Sequence, residues 1–127
     1  MRNFRKLEVW KKAHELTLEV YRLTSDFPAT ERFGLSSQLQ PASASIGANL
    51  AEGCGRQTDA DFRRFVQMAA GSACEVEYHL LLSKDLGLIS EDVQSKLDAT
   101  INEVKRMLVG LTRYLDSESS QKEIQSH

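Results

Sequence analysis

Cysteine is scarce in this 127-residue chain, with only Cys54 and Cys74. Two cysteines exclude a disulfide framework and a cysteine-built zinc site, and both are expected to behave as small buried apolar residues in a reducing cytoplasm. Histidine is almost as thin, with His14, His79 and His127. No segment is apolar for long enough to cross a bilayer, and the opening MRNFRKLEVWKKAHEL lacks the apolar run of a signal peptide. Charge of one sign is missing too. A net charge of -2 and a pI near 5.9 exclude strong whole-molecule attraction to nucleic acid or anionic lipid. The composition that remains, 41% hydrophobic and 27% charged, is that of one ordinary globular domain, expected in the cytoplasm.

What the chain does have is helical periodicity. The most informative stretch is Leu35–Arg56, LSSQLQPASASIGANLAEGCGR. At helical spacing, Leu35, Leu39, Ala42, Ile46 and Leu50 make an apolar stripe. Ala44, Gly47, Ala48, Ala51 and Gly55 make a second side of small residues, and Gln38, Ser45, Asn49, Glu52 and Arg56 a polar line between them. Such a helix has hardly any solvating face and is expected to be crowded on more than one side.

A first helix is expected from about Phe4 to Ser25, with a core seam of Val9, Ala13, Leu16, Val20 and Leu23. Leu7, Trp10, His14, Leu18 and Tyr21 form another stripe beside it, which needs its own partner; a neighbouring subunit is the economical one. Pro28 breaks the chain, Thr30 is expected to cap the second helix with Glu31 in its first turn, and Pro41 falls inside that helix, predicting a kink or a restart. Gly53 and Gly55 are read as its end. Thr58 caps a third helix whose stripe is Phe62, Val66, Ala69, Ala73, Val76, Leu80 and Ser83, ending at Gly87-Leu88. Ser90 caps a fourth, with Val93, Leu97, Ile101, Val104, Leu108, Leu111 and Leu115 as its seam. The expected architecture is all-α, an antiparallel up-down-up-down four-helix bundle over residues 1–116 with helix 2 kinked near Pro41. Residues 117–127 carry too little apolar content to pack and are expected to be a disordered polar tail.

Catalytic constellations are sparse. A di-iron bundle needs two Glu-x-x-His pairs, whereas Glu75 is followed at that spacing by Tyr78, with His79 one residue late. Glu52, Glu75 and His79 are the residues a metal-dependent enzyme would have to use, but the ligand count falls short, and no metal or other cofactor is expected. No nucleophile–base pairing or phosphate loop is present, and Ser43, Ser45 and Ser72 read as small packing residues returning their hydroxyls to the backbone. The chain is read as non-enzymatic. Gln38, Asn49, Glu52 and Glu75 are expected to form a polar clamp fixing helix 2 against helix 3 or against another subunit. Arg2, Arg5, Lys6, Lys12, Arg56, Arg63 and Arg64 are candidate phosphate contacts, which a ring would repeat along one rim; binding through them would be sequence-blind and salt-sensitive.

Several stretches occur in a telling order: Phe4-x-x-Leu7-x-Val9-Trp10, Phe27-Pro28, Leu35-x-x-Gln38-Leu39, Ser45-Ile46-x-x-Asn49-Leu50-Ala51-Glu52-Gly53, and Ala70-Gly71-Ser72-Ala73-x-Glu75. From residue 4 to about 115 the chain resembles the bacterial four-helix bundle proteins first noticed as reading frames within intervening sequences of large-subunit ribosomal RNA genes. It is also similar to the accessory protein of diversity-generating retroelements, a bundle pentamer that associates with a reverse transcriptase and nucleic acid. The resemblance implies a cytoplasmic bundle that assembles as a homopentameric ring and has no established enzymatic activity. Where the family usually has arginines after the Gln-Leu pair this chain has Gln40 and Pro41, and where it often has proline after Ser-Ile this chain has Gly47. Two basic groups per subunit are therefore absent from helix 2, which weighs against nucleic-acid binding. The subunit interface is expected at Leu7, Trp10, Leu18 and Tyr21 of helix 1 and at Ala44, Ala48 and Ala51 of helix 2.

Overall fold

The computed structural model of the chain describes residues 2–126, with side chains through residue 118. Four helices carry it: α1 (Glu8–Ser25), α2 (Leu35–Cys54), α3 (Asp59–Asp85) and α4 (Glu91–Ser126), joined by short connections. Among the described residues, packing runs α1–α2, α2–α3, α3–α4 and α4–α1, with no diagonal contact. The section is therefore a square with sequential helices on adjacent corners, as short loops between antiparallel neighbours dictate. The four-helix bundle expected from the periodicity is the fold.

The core follows the stripes. Ala13, Leu16 and Val20 of α1, Leu39, Ile46 and Leu50 of α2, Val66, Ala69, Ala73 and Val76 of α3, and Ile101 and Val104 of α4 are fully buried. Their spacings of three and four keep each set on one face of its helix. Val93, placed in the fourth seam by periodicity, is instead exposed at the end of the bundle.

Helix boundaries show where local chemistry departs from expectation. The first helix does not run from Phe4: Phe4–Lys6 is a separate 3-10 turn, capped by the Asn3 side chain accepting from the Arg5 N–H at 3.1 Å. Leu7 is then extended, and α1 starts at Glu8. Thr30 does not cap the second helix, because Ala29–Glu31 forms another 3-10 turn and α2 begins at Leu35. The nearby acceptor is the Glu31 carboxylate, 3.5 Å from the Leu35 N–H, favoured there by the helix dipole. α2 continues through Pro41 without a restart.

Gly53 lies inside α2 and does not end it. A Cβ at this buried position would sit 2.8 Å from Phe62 Cδ1 and 2.9 Å from Phe65 Cβ. The glycine is there so that α3 can bring two phenylalanines against the α2 backbone. The caps of the last two helices match their sequences: Thr58 accepts from the Asp61 N–H at 3.1 Å and Ser90 from the Val93 N–H at 3.1 Å. Gly87, at φ 76°, closes α3 with Gly87 N–H to Lys84 and Leu88 N–H to Ser83 carbonyl bonds, both 2.9 Å. α4 is helical through Ser126, across the segment expected as a tail from residue 117; side chains from residue 119 lie outside the described residues, as does His127.

Candidate interaction surfaces

The second stripe of α1 and the small side of α2 meet on one side of the square. Phe4, Trp10, His14 and Thr17 face Ala44, Gly47, Ala48 and Ala51 across a groove of about 330 Å³. The groove exists because α2 presents almost no side chain there, and Trp10 occupies part of the space. Its Nε1 lies 3.2 Å from where a Cβ on Gly47 would be, so the glycine makes room for the indole. Trp10 stacks on His14 with centroids 4.9 Å apart and planes 8° from parallel, and Phe4 meets it edge-on at 4.9 Å. Thr17 pins the two helices together, its hydroxyl donating within reach of both the Ala13 and Ser43 carbonyls at 3.0 and 2.9 Å. Farther along, the Gln40 amide donates to the Thr24 hydroxyl at 2.9 Å.

Of the seven expected interface residues, Trp10, Ala44, Ala48 and Ala51 line this groove. Leu7 packs partly onto the core, while Leu18 and Tyr21 extend the apolar surface of α1 at 42% and 46% exposure. Phe4, His14 and Thr17 were missing from that set. Phe4 belongs to the 3-10 turn that an unbroken helical reading erases, and His14 and Thr17 are polar residues whose spacing alone already placed them beside Trp10.

The four clamp residues do not join α2 to α3 within the chain. Asn49 donates to the Ser45 carbonyl of its own helix at 2.8 Å, Glu52 pairs with Arg56 at 2.9 Å, and Glu75 meets His79 at 3.4 Å. Gln38 is exposed. The side-chain link across this seam is instead Ser45 Oγ to Ser72 Oγ, 2.5 Å apart. Asn49 and Glu52 flank Ser45 on α2, one turn and two turns along, as Glu75 and His79 flank Ser72 on α3. Short hydroxyls suit the close approach of the two helices at this point, while the longer Asn49, Glu52 and Glu75 side chains bond within their own helix or its end.

The basic candidates are largely engaged. Arg2 pairs with Asp59, lies 4.6 Å over the Phe62 ring, and donates its backbone N–H to the Cys54 carbonyl at 3.2 Å, tying the N-terminus to the α2–α3 corner. Lys12 pairs with Glu103 at 2.8 Å and Arg63 with Asp116 at 2.7 Å, both across helices. Arg56 pairs with Glu52 at 2.9 Å and Arg64 with Asp61 at 3.6 Å. Arg56 and Arg64 also both lie 4.7 Å from the Phe65 ring centre. Among the described residues only Arg5, stacked 4.5 Å over Phe4, and Lys6 lack an ion-pair partner within that set. One further cross-helix pair had no sequence signal: Lys105 and Glu77 meet at 3.0 Å, and this hydrogen bond holds the ammonium above its usual range. Burial pushes the Cys54 thiol up, partly opposed by the charge of Arg2.

Cys74, expected to be buried, is exposed. Glu52 stays with Arg56, and among the described residues no three of His, Cys, Asp and Glu gather where a metal could be held. No helix among them is long and apolar enough to cross a membrane.

An antiparallel bundle with an aromatic-lined groove between its first two helices defines the class: a small all-α four-helix protein. The chain belongs to the 23S rRNA-intervening sequence protein family, whose model matches residues 5–110. It is similar to the crystal structure of a protein of unknown function from the S23 ribosomal protein family of Bacteroides thetaiotaomicron. The TM-score is 0.74 at 25% identity, over 82% of this chain and 97% of that one. No curated protein matches the chain.

Proposed function

We propose that this protein is a non-enzymatic assembly protein, a four-helix bundle that joins copies of itself into a cytoplasmic ring of five. The observation that supports it best is the α1–α2 groove with Trp10, Ala44, Ala48 and Ala51 in its lining, continued by exposed Leu18 and Tyr21. Leaving such a contiguous apolar surface in water is costly, and burying each large side chain recovers about 1.5–3 kcal/mol. The number five comes from the resemblance to ring-forming bundles, not from the groove.

Light scattering on a size-exclusion column tests this directly. Five chains of 14.3 kDa give a particle of about 72 kDa. The Trp10→Glu, Tyr21→Glu double variant is expected to elute as a single chain; Tyr21 is exposed and Trp10 half-buried against the core, so its helicity is measured alongside. A wild-type monomer rejects the ring, and a double variant that stays assembled rejects this interface.

A nucleic-acid accessory role, with phosphates held by Arg2, Arg5, Lys6, Lys12, Arg56, Arg63 and Arg64, is the second reading. Unpartnered Arg5 and Lys6 favour it, while the carboxylates beside the other five oppose it, because each ion pair would have to open for a phosphate. It predicts nucleic-acid absorbance in the same elution peak, removed by salt. A peak free of such absorbance at low salt ends that reading.

A further inference from the structure

A ring needs two different faces on each copy, because a heterologous contact sets one patch against another and repeats around the closure. The α1–α2 groove is one. We propose that the α3–α4 side of the bundle carries its mate, and that Gly71, Cys74, Tyr78 and Leu81 of α3, with Asp98 of α4, seat against the groove of a second copy. This rests on the assembly reading above and adds the second face to it.

Three observations converge on that side. First, position: α1–α2 and α3–α4 are opposite edges of the square, so one copy can engage two neighbours at once. Second, shape: Gly71, Cys74, Tyr78 and Leu81 recur at spacings of three, four and three, the seam of a helix pair. Tyr78 and Leu81 project at 58% and 42% exposure, whereas the groove floor is alanine and glycine. Gly71 is exposed in the interior of α3, a position where glycine is penalised, and nothing lies within 4 Å of where its Cβ would be. A second helix laid across this position can approach the α3 backbone closely.

Third, charge: no carboxylate lines the groove, and Arg5, stacked on Phe4 at its edge, has no acidic partner among the described residues. In the hollow beside Tyr78, Asp98 accepts from the Asn102 amide at 3.3 Å and has no cation within ion-pair distance among the described residues. Glu77 lines the same hollow, paired with Lys105. Arg5 at one face, and at the other two carboxylates, Glu77 and Asp98, that share the charge of the single Lys105, suit head-to-tail contact and disfavour either face meeting itself.

The test uses two single variants of the full chain, both at exposed helix positions and both checked for retained helicity. Ala48→Arg blocks the groove and Tyr78→Arg blocks the stripe. Each alone is expected to run as a 14.3 kDa chain while the wild type assembles. Mixed at millimolar concentration, where one junction does not depend on ring closure, they are expected to give a particle of about 29 kDa, two 14.3 kDa chains. Ala48→Arg keeps a stripe and Tyr78→Arg keeps a groove, so one junction forms and growth stops. Cys74 supplies a second readout: it should react with a thiol reagent about tenfold more slowly in the assembled wild type than in either variant. Tyr78→Arg retaining the wild-type mass, a mixture that stays monomeric, or equal Cys74 reactivity each overturns the second face while leaving the ring standing. A monomeric wild type overturns the ring itself, and with it this inference.

Discussion

Gly53→Ala sets two opposed effects against each other at one atom. Alanine in a helix interior is favoured over glycine by about 1 kcal/mol. Here the added methyl would fall 2.8 Å from Phe62 Cδ1 and 2.9 Å from Phe65 Cβ, inside any normal carbon contact. Neither neighbour yields easily. Phe62 is 1% exposed, and a Cβ moves only with its backbone. Overpacking of this kind costs roughly 1–3 kcal/mol, and the rigid Phe65 contact places the cost in the upper part of that range. The net expectation is a loss of about 1–2 kcal/mol, a fall in Tm of about 4–8 °C for a domain of this length. Gly110→Ala is the internal control, since nothing lies within 4 Å of its Cβ position in α4. It should gain about 0.5–1 kcal/mol. Thermal melts followed by circular dichroism, at one fixed chain concentration because assembly shifts Tm by mass action, measure both. If Gly53→Ala melts at or above the wild type, the steric reading of that corner is refuted.

Other positions make independent expectations. Pro41→Ala restores a backbone donor at an exposed interior position of α2 and should stabilise by about 1–3 kcal/mol in urea unfolding; a loss would show that the proline-shaped helix is required by its packing. Thr17→Val removes the hydroxyl shared by Ala13 and Ser43 and should cost about 0.5–1.5 kcal/mol, with no cost meaning that water replaces it. Cys54 ties stability to alkaline pH. Its thiol is held above its ordinary value in the folded state, so the unfolded chain releases the proton first and stability falls as pH rises through the unfolded thiol's pKa. Below that pKa the contribution is complete. Cys54→Ala should flatten the alkaline limb relative to wild type, and an unchanged slope would assign that limb to other groups.

The core was legible because one signal carries it: apolar residues at spacings of three and four, which survive small errors in helix ends. Boundaries were less so. Asn3, Leu7 and Glu31 act through 3-10 turns that periodicity does not register, and Gly53 looks like a terminator until Phe62 and Phe65 are placed against it. For the groove, Trp10 and the alanines were readable as surplus apolar surface, but Phe4 needed the turn. The polar seam failed in a different way. Ser45 and Ser72 are unremarkable in sequence, whereas Asn49, Glu52 and Glu75 look important because they are large and polar; the short Ser45–Ser72 approach inverts that ranking. Pairings such as Arg2 with Asp59 and Arg63 with Asp116 join residues more than fifty positions apart, which no local pattern encodes.

Trp10 is the chain's one tryptophan, and it lies in the groove wall over Gly47 and against His14. The molecule thus carries a single optical reporter at the seam where neighbours are expected to meet. Its emission colour and its quenching by dissolved acrylamide follow whether that indole sees water. Association can therefore be timed in unlabelled protein, and in mixtures where every other partner lacks tryptophan, by watching this one ring go dark to solvent.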